Sequence, residues 1–430
     1  MSTDSFNTTS LLEQASHGSL HEMLDGLENH FNDVEPQINA FIEEPSRFDR
    51  LHRDADELLA RFPNPQDRPR LFGVPIAVKD IFNVEGFETR AGTTLPPETF
   101  AGPEAPCVTA LKQAGALILG KTVTAEFAYI APGPTCNPHD LEHTPGGSSS
   151  GSAAAVAAGL SPLALGTQTV GSLIRPAAYC GICAFKPSYD RIDKAGVVPL
   201  APCTDHVGFL TENVSVIALA ASVLCQDWSG EPEVDRPTLG IPDSSYLDHT
   251  EDRGRAHFGM VREFLEINGF TVITTNALPD FTELHDRHID LCAIEAEVVH
   301  QEWRNLWEKE YDPRTLKLLD QAKSISDSRR AEVRASQMEL RCDLEELMEN
   351  ESIDLWLAPA ATGPAPLQIS NTGNGIMNSP WTHAGMPSIG IPAGRTADGL
   401  PMGVQLIGRF GTDERTIAQT RHVEGTLSRT

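Results

Sequence analysis

The chain has 430 residues, 40% hydrophobic and 22% charged, enough to fill the core of one large domain or two ordinary ones. Its 60 acidic residues against 33 lysines and arginines give a formal charge of −27, which repels phosphates and argues against nucleic acid as a ligand. The start, MSTDSFNTTS, carries neither a basic nor an apolar leader region, and no run is apolar enough to span a bilayer. A cytoplasmic protein with no membrane partner and eight reduced cysteines is therefore expected.

Residues 1–70 alternate acidic and apolar positions (LLEQASHGSLHEMLDGLENHF, then FDRLHRDADELLARF). This spacing predicts two or three surface helices in an N-terminal helical segment. From Leu71 the texture changes. LFGVPIAVKDIF predicts a buried strand ending near Lys79, CVTALKQA a helix, GALILGKT a second strand and LSPLALGTQT a third. Such alternation points to an α/β layer fold with a largely parallel sheet.

Between residues 235 and 355 the stretches REFLEIN, HIDLCAIEAEVVHQEWRNLWEKEY and RRAEVRASQMELRCDLEELMEN are charged and helix-periodic. They predict a helical region over the sheet that shapes the substrate site, where Trp303, Trp307 and Tyr311 either line a cavity or pack. IDLWLAPA, PSIGIPAG and GVQLIG return to strand texture. No linker is evident, so residues 71–430 read as a single domain.

The chemistry concentrates in two loops. HTPGGSSSGSAAAVAAGL, residues 143–160, lacks the ending of a phosphate-binding loop. Gly147 to Gly151 satisfy a nucleophile-elbow pattern, but no strand precedes them. A tight loop entering a helix fits better, with Ser149 to Ser152 capping a helix over residues 153–158 and Gly159 ending it. Capping alone leaves the close backbone approach allowed by the glycines unexplained. In the second loop, GTQTVGSLIRPAAYCG, a strand ends at Gly166, a turn presents Ser172 and Pro176 starts a helix. The N–H groups of Thr169, Val170, Gly171 and Ser172 can form an anion-binding hollow there, as acyl transfer requires.

A serine nucleophile needs a base. The chain holds only 8 lysines, and one of them, Lys79, ends an apolar run; burial there would favour its neutral form. The competing reading is a strand-end lysine that reaches solvent or pairs with Asp80.

LFGVPIAVKDIF, TPGGSSSGSAAAVAAGLSPLALGTQTVGS, RPAAYCGICAFKPSYDR and VVPLAPCTDHVGFL, with FAYIAPGPTCNP and THAGMPSIGIPAGRTADGLPMGVQLIGR, together resemble the amidase signature family. The similarity is strong over residues 70–215 and clear over 355–410. The resemblance implies the family's α/β fold, a mixed, largely parallel sheet covered by helices on both faces. It also implies a Ser–cis-Ser–Lys triad. Lys79 falls on the base, Ser148 on the bridging serine with a cis bond from Gly147, and Ser172 on the nucleophile. The implied reaction hydrolyses a non-peptide C–N bond of a small-molecule amide, carbamate or urea through a Ser172 acyl-enzyme. It requires no metal or organic cofactor, and a homodimer is compatible with it.

An alternative is the glutaminase subunit of a tRNA-dependent amidotransferase; GTQTVGS and the lack of a long C-terminal extension count against it. A non-catalytic binding protein is disfavoured by the intact Lys79, Ser148 and Ser172. Three departures from the family pattern stand out. Ser150 replaces a glycine, Gln168 an acidic residue and Val170 a glycine, while the arginine usually two residues after the nucleophile is displaced to Arg175.

Other clusters read as structural. Cys180 and Cys183 resemble half of a metal or redox site without a second pair. His285 and His288, with Glu283 and Asp286, read as a solvated acidic helix face. His139, Asp140, Glu142 and His143 read as turn residues, and Asp205 with His206 as a core connection rather than part of a Ser–His–Asp triad.

Overall fold

The computed structural model describes residues 19–429, so the start of the expected N-terminal helical segment lies outside the described residues. Helix α1 (Leu20–Ile38) opens on Ser19, whose Oγ accepts the Glu22 N–H at 3.3 Å, and closes on Asn39 in the left-handed region. It packs with α2 (Arg47–Arg61) through Leu24, Leu27, Leu51 and Ala55, all fully buried. Between the two helices the chain runs extended beside the second strand. Ile42 N–H donates to Lys121 O at 2.8 Å and Val123 N–H to Ala40 O at 2.9 Å.

The expected strands form as β1 (Pro75–Lys79), β2 (Leu117–Thr122) and β3 (Leu163–Gln168), interleaved with α3 (Pro106–Gln113) and α4 (Ser150–Ala157). Helix α5 (Ile174–Cys180), β4 (Cys183–Lys186), β5 (His206–Thr211) and α6 (Val214–Leu224) follow. The stretch 235–355 is not purely helical, because β6 (Leu239–Pro242) and β7 (Val272–Thr275) join the sheet from within it. Around them lie α7 (Ser244–Leu247), α8 (Asp252–Ile267), α9 (Phe281–Trp307), α10 (Pro313–Ala322) and α11 (Asp327–Asn350). β8 (Leu355–Pro359), α12 (Ser379–His383), β9 (Ser388–Arg395), β10 (Pro401–Ile407) and α13 (Asp413–Leu427) complete the fold.

The ten strands make one mixed sheet in the order β2-β1-β3-β5-β4-β9-β10-β8-β6-β7. Parallel pairing is confined to its two ends, β2-β1-β3 and β8-β6-β7. The five central pairings are antiparallel, so the sheet is less parallel than expected. One cause is local: β9 and β10 are joined by the short Thr396–Leu400 turn, and a connection that short permits only a hairpin.

Side-chain alternation sends Ile76 and Val78 to one core and Ala77 to the other, and β3 repeats the pattern with Leu163 and Leu165 against Ala164. Both faces are thus covered, as expected. Lys79, in phase with Ala77, shares the face where α4 and α5 pack. No helix among the described residues is long and apolar enough to cross a membrane.

Candidate active site

Lys79 ends β1 fully buried, its Nζ 2.9 Å from Ser148 Oγ and 2.8 Å from Thr167 Oγ1. Neither reading of a structural lysine applies: the side chain has no access to solvent, and Asp80 is engaged by Lys121 at 2.8 Å. With no carboxylate in contact among the described residues, desolvation pushes the Lys79 ammonium well below its ordinary 10.5, opposed by the more distant charge of Asp205. Burial thus disfavours the ammonium form, and Nζ stands within hydrogen-bond distance of two hydroxyl groups.

The Gly147–Ser148 bond is cis, as the resemblance implied. Gly146 adopts φ 83°, and a side chain on Gly147 would place its Cβ 2.6 Å from Thr372 Cγ2, so this backbone lies hard against its neighbour. The other serines do not cap the helix as expected. Ser149 occupies the N-cap position, yet its Oγ bonds the backbone of Thr167 instead of a helix N–H. Ser150 Oγ donates to Val123 O (3.3 Å) and Ser152 Oγ to Leu165 O (2.9 Å). These hydroxyls fasten α4 to the strands beneath, and the helix consequently starts at Ser150. Gly151 explains the close approach: a Cβ there would lie 2.1 Å from Ala40 O and 2.5 Å from Val123 N.

β3 continues to Gln168, two residues past the expected end, before turning at 169–173 into α5. Gln168, where the family pattern has an acidic residue, both accepts and donates. Its Oε1 accepts the N–H groups of Leu173 (2.9 Å) and Ile174 (3.0 Å), while its Nε2 donates to Thr382 Oγ1 (2.9 Å). Arg175, although displaced in sequence, reaches the first serine loop and donates to Gly147 O at 2.6 Å. The N–H groups of Val170, Gly171 and Ser172 meet no acceptor among the described residues. Ser172 is 6% exposed and Ser148 not at all. The two are not hydrogen-bonded to each other, so the contact formed directly is the one between Lys79 and Ser148.

Thr167, Thr382 and Asn378 contribute contacts that no sequence motif announced. Gly171 packs so closely on Asn378 that a Cβ would fall 2.4 Å from its Oδ1. His288 corrects the expected solvated helix face. It is fully buried on α9, with Nε2 3.0 Å from the carbonyl of Thr169. Trp303 and Tyr311 pack rather than line a void, both stacking on Phe127. Trp307 likewise packs against the core.

Cys180 and Cys183 are buried apart in purpose, one donating to Pro145 O and the other to Glu424. His139 to His143 form the expected turn, with His143 N–H donating to Asp140 O at 3.0 Å. A cavity of about 300 Å³ opens beside Thr167 and Thr169, walled by Ile81, Val198, Leu200 and His206. Asp205 does not pair with His206; its carboxylate accepts from Thr169 Oγ and from the N–H groups of Leu200 and Ala201. His206 places Nδ1 2.6 Å from Thr204 O.

Comparison with known proteins agrees with this geometry. The family model described as Amidase matches residues 27–417. The chain is similar, at 31% identity over 450 residues and 90% of each chain, to a protein of Geobacter metallireducens named as a glutamyl-tRNA(Gln) amidotransferase subunit. It is also similar to a solved amidase structure, at 27% identity and a TM-score of 0.86 over 98% of each chain. A third likeness, at 26% identity and TM-score 0.86 over 99% of this chain and 98% of the other, is to a vestigial protein complex related to the origins of an s-triazine catabolic enzyme. With its fold, its cis Gly147–Ser148 peptide and a match across nearly its whole length, the chain belongs to the amidase family, whose members hydrolyse carbon–nitrogen bonds.

Proposed function

We propose that the protein hydrolyses the amide-type C–N bond of a small molecule, an amide, carbamate or urea, with Ser172 as nucleophile, Ser148 as proton relay and Lys79 as base. The observation that carries this reading is the buried contact between Lys79 Nζ and Ser148 Oγ, made without a carboxylate partner among the described residues. Neutral Lys79 takes the proton of Ser148 as Ser148 takes that of Ser172. Ser172 Oγ then bonds to the substrate carbonyl carbon, whose oxygen becomes an oxyanion held by backbone N–H groups of the 169–172 loop. The proton returns through Ser148 to the leaving nitrogen, the C–N bond breaks, and water hydrolyses the ester. Closing the Ser148–Ser172 gap accompanies substrate binding, since catalytic hydrogen bonds tighten in the bound complex.

The cavity beside Thr167 supports a compact substrate group. The contact of α9 with Thr169 supports a role for residues 235–355 in shaping that site. All eight cysteines are free thiols, in keeping with a cytoplasmic setting. The test is covalent labelling with a fluorophosphonate. Wild type should be labelled on Ser172 and Ser172→Ala not at all; undiminished labelling of the variant would remove the nucleophile assignment.

A second reading, the glutaminase subunit of an amidotransferase, is favoured by the names of relatives such as the Geobacter protein. Ammonia release from glutamine together with co-purification of partner subunits would select it over hydrolysis of an aryl amide, carbamate or urea panel.

A further inference from the structure

Three consecutive carbonyls of the loop after β3 each have a dedicated donor. Thr169 O faces His288 Nε2 at 3.0 Å, Val170 O faces Thr382 Oγ1 at 2.8 Å, and Gly171 O accepts Arg175 N–H at 3.0 Å. In a trans peptide the C=O and the following N–H point in opposite directions. Holding each carbonyl on its donor therefore turns the N–H that follows it away from that donor, and the N–H groups of Val170, Gly171 and Ser172 remain unpaired among the described residues. We propose that His288 and Thr382, neither of which bonds Lys79, Ser148 or Ser172, are positioning residues that aim the oxyanion-binding N–H groups. This inference rests on the reading of Ser172 as nucleophile.

The hydrogen positions follow from the acceptors. Thr169 O can only accept, so His288 Nε2 carries the hydrogen, and a neutral ring leaves its Nδ1 bare. That Nδ1 lies 3.3 Å from His383 Nδ1, which must then donate, leaving His383 Nε2 bare. Ser336 Oγ, 2.8 Å away, gives its hydrogen to that nitrogen in preference to the Val333 carbonyl of its own helix at 3.0 Å. Each link has one direction, and the chain ends on the loop carbonyl. Both imidazoles are buried, and burial pushes His288 well below its ordinary value and His383 to about 4, consistent with neutral rings.

Thr382 is set in the same way. Its hydroxyl oxygen accepts from Gln168 Nε2 at 2.9 Å, so its hydrogen is free for Val170 O, the shorter of two carbonyl contacts; Asn378 O lies at 3.1 Å. A carboxylate at position 168 would have no hydrogen to give and would draw the Thr382 hydrogen to itself. The glutamine that departs from the family pattern is thus the one residue of the pair that leaves Val170 O anchored.

The experiment compares His288→Leu with His288→Gln, whose terminal amide restores a donor, and Thr382→Val with Thr382→Ser, measuring kcat, KM and the rate of fluorophosphonate labelling. His288→Leu and Thr382→Val should each lower kcat about a hundredfold, the scale of one lost oxyanion donor, with KM within about threefold. His288→Gln and Thr382→Ser should recover most of the loss. Gln168→Glu tests the Thr382 anchor without substituting a residue of α9 or α12, should His288→Leu fail to fold, and should also lower kcat. Imidazole ¹⁵N spectra of the wild type should show His288 protonated at Nε2 and bare at Nδ1. Equal kcat in the leucine and glutamine variants, or the opposite tautomer, would overturn the inference. Absence of wild-type labelling on Ser172 would instead overturn the function on which it rests.

Discussion

Arg175 Nη2 donates to the carbonyl of Gly147 across 2.6 Å, joining the helix that follows Ser172 to the peptide that carries Ser148. The two proposed catalytic serines stand on loops 24 residues apart, and this bond helps tie those loops together. The guanidinium is 4% exposed and has no carboxylate partner among the described residues; burial holds it below its ordinary value. Arg175→Met should leave Gly147 O unsatisfied at a cost of about 1–3 kcal/mol. Turnover should fall at least tenfold as well, because the serine loops lose their common register. Thermal melting and steady-state kinetics on the same preparation would check both; a variant that melts early yet turns over normally would show the bond to be structural alone.

As the proposed base, Lys79 should set the acid side of the pH profile. A base must be neutral to act, so kcat/KM should rise with pH through the Lys79 titration and level off above it. That limb should lie well below the 10.5 of an ordinary lysine, because burial disfavours the ammonium. Lys79→Ala should lose the limb and about a hundredfold to ten-thousandfold in rate, the usual contribution of a general base. A limb retained in the variant would assign it to another group.

The same burial costs stability. Unfolded Lys79 binds a proton up to 10.5 and the folded side chain releases it well below that, so between the two values the unfolded state holds more protons. Stability therefore rises with pH across this window. Lys79→Met, which keeps the shape of the side chain and removes the titration, should melt above wild type at neutral pH, and the gap should narrow toward pH 10. Denaturant melts at several pH values give the slope directly. A constant gap would place the Lys79 titration outside the window.

His206 lines the cavity without touching the proposed relay. His206→Ala should raise KM for a substrate that fills the cavity while kcat stays within about threefold, and Ser172 should still label with a fluorophosphonate. A greater loss of turnover than in Lys79→Ala would refute a lysine base.

Much of this was legible in local sequence. An apolar run stopping at a lysine marked β1 and Lys79, glycines beside serines marked the two loops, and the family resemblance singled out Ser148 in the first of them. Other features depend on partners remote in the chain. Thr167 meets Lys79 because β3 lies beside β1, and Thr382 meets Gln168 across 214 residues. His288 looked like one of several polar groups on a charged helix, and only packing reveals that its turn faces the loop after β3. The capping expectation for Ser149 to Ser152 erred for the same reason: the hydroxyls of Ser149, Ser150 and Ser152 are turned to the carbonyls of Thr167, Val123 and Leu165 beneath α4 and not to the helix N–H groups. β6 and β7, at four residues each, were too short to interrupt the helical periodicity around them.

The extended passage at Ala40–Ile42 has a consequence beyond the site. β2 is the last strand at its end of the sheet, and a terminal strand offers unpaired backbone groups to any other chain. Here the polypeptide covers that edge itself, Phe41 bridging Thr122 between the bonds at Lys121 and Val123. A chain shortened past Ile42 would lay the edge bare. Its first failure should be edge-to-edge association between copies, seen as concentration-dependent aggregation before any loss of helix content.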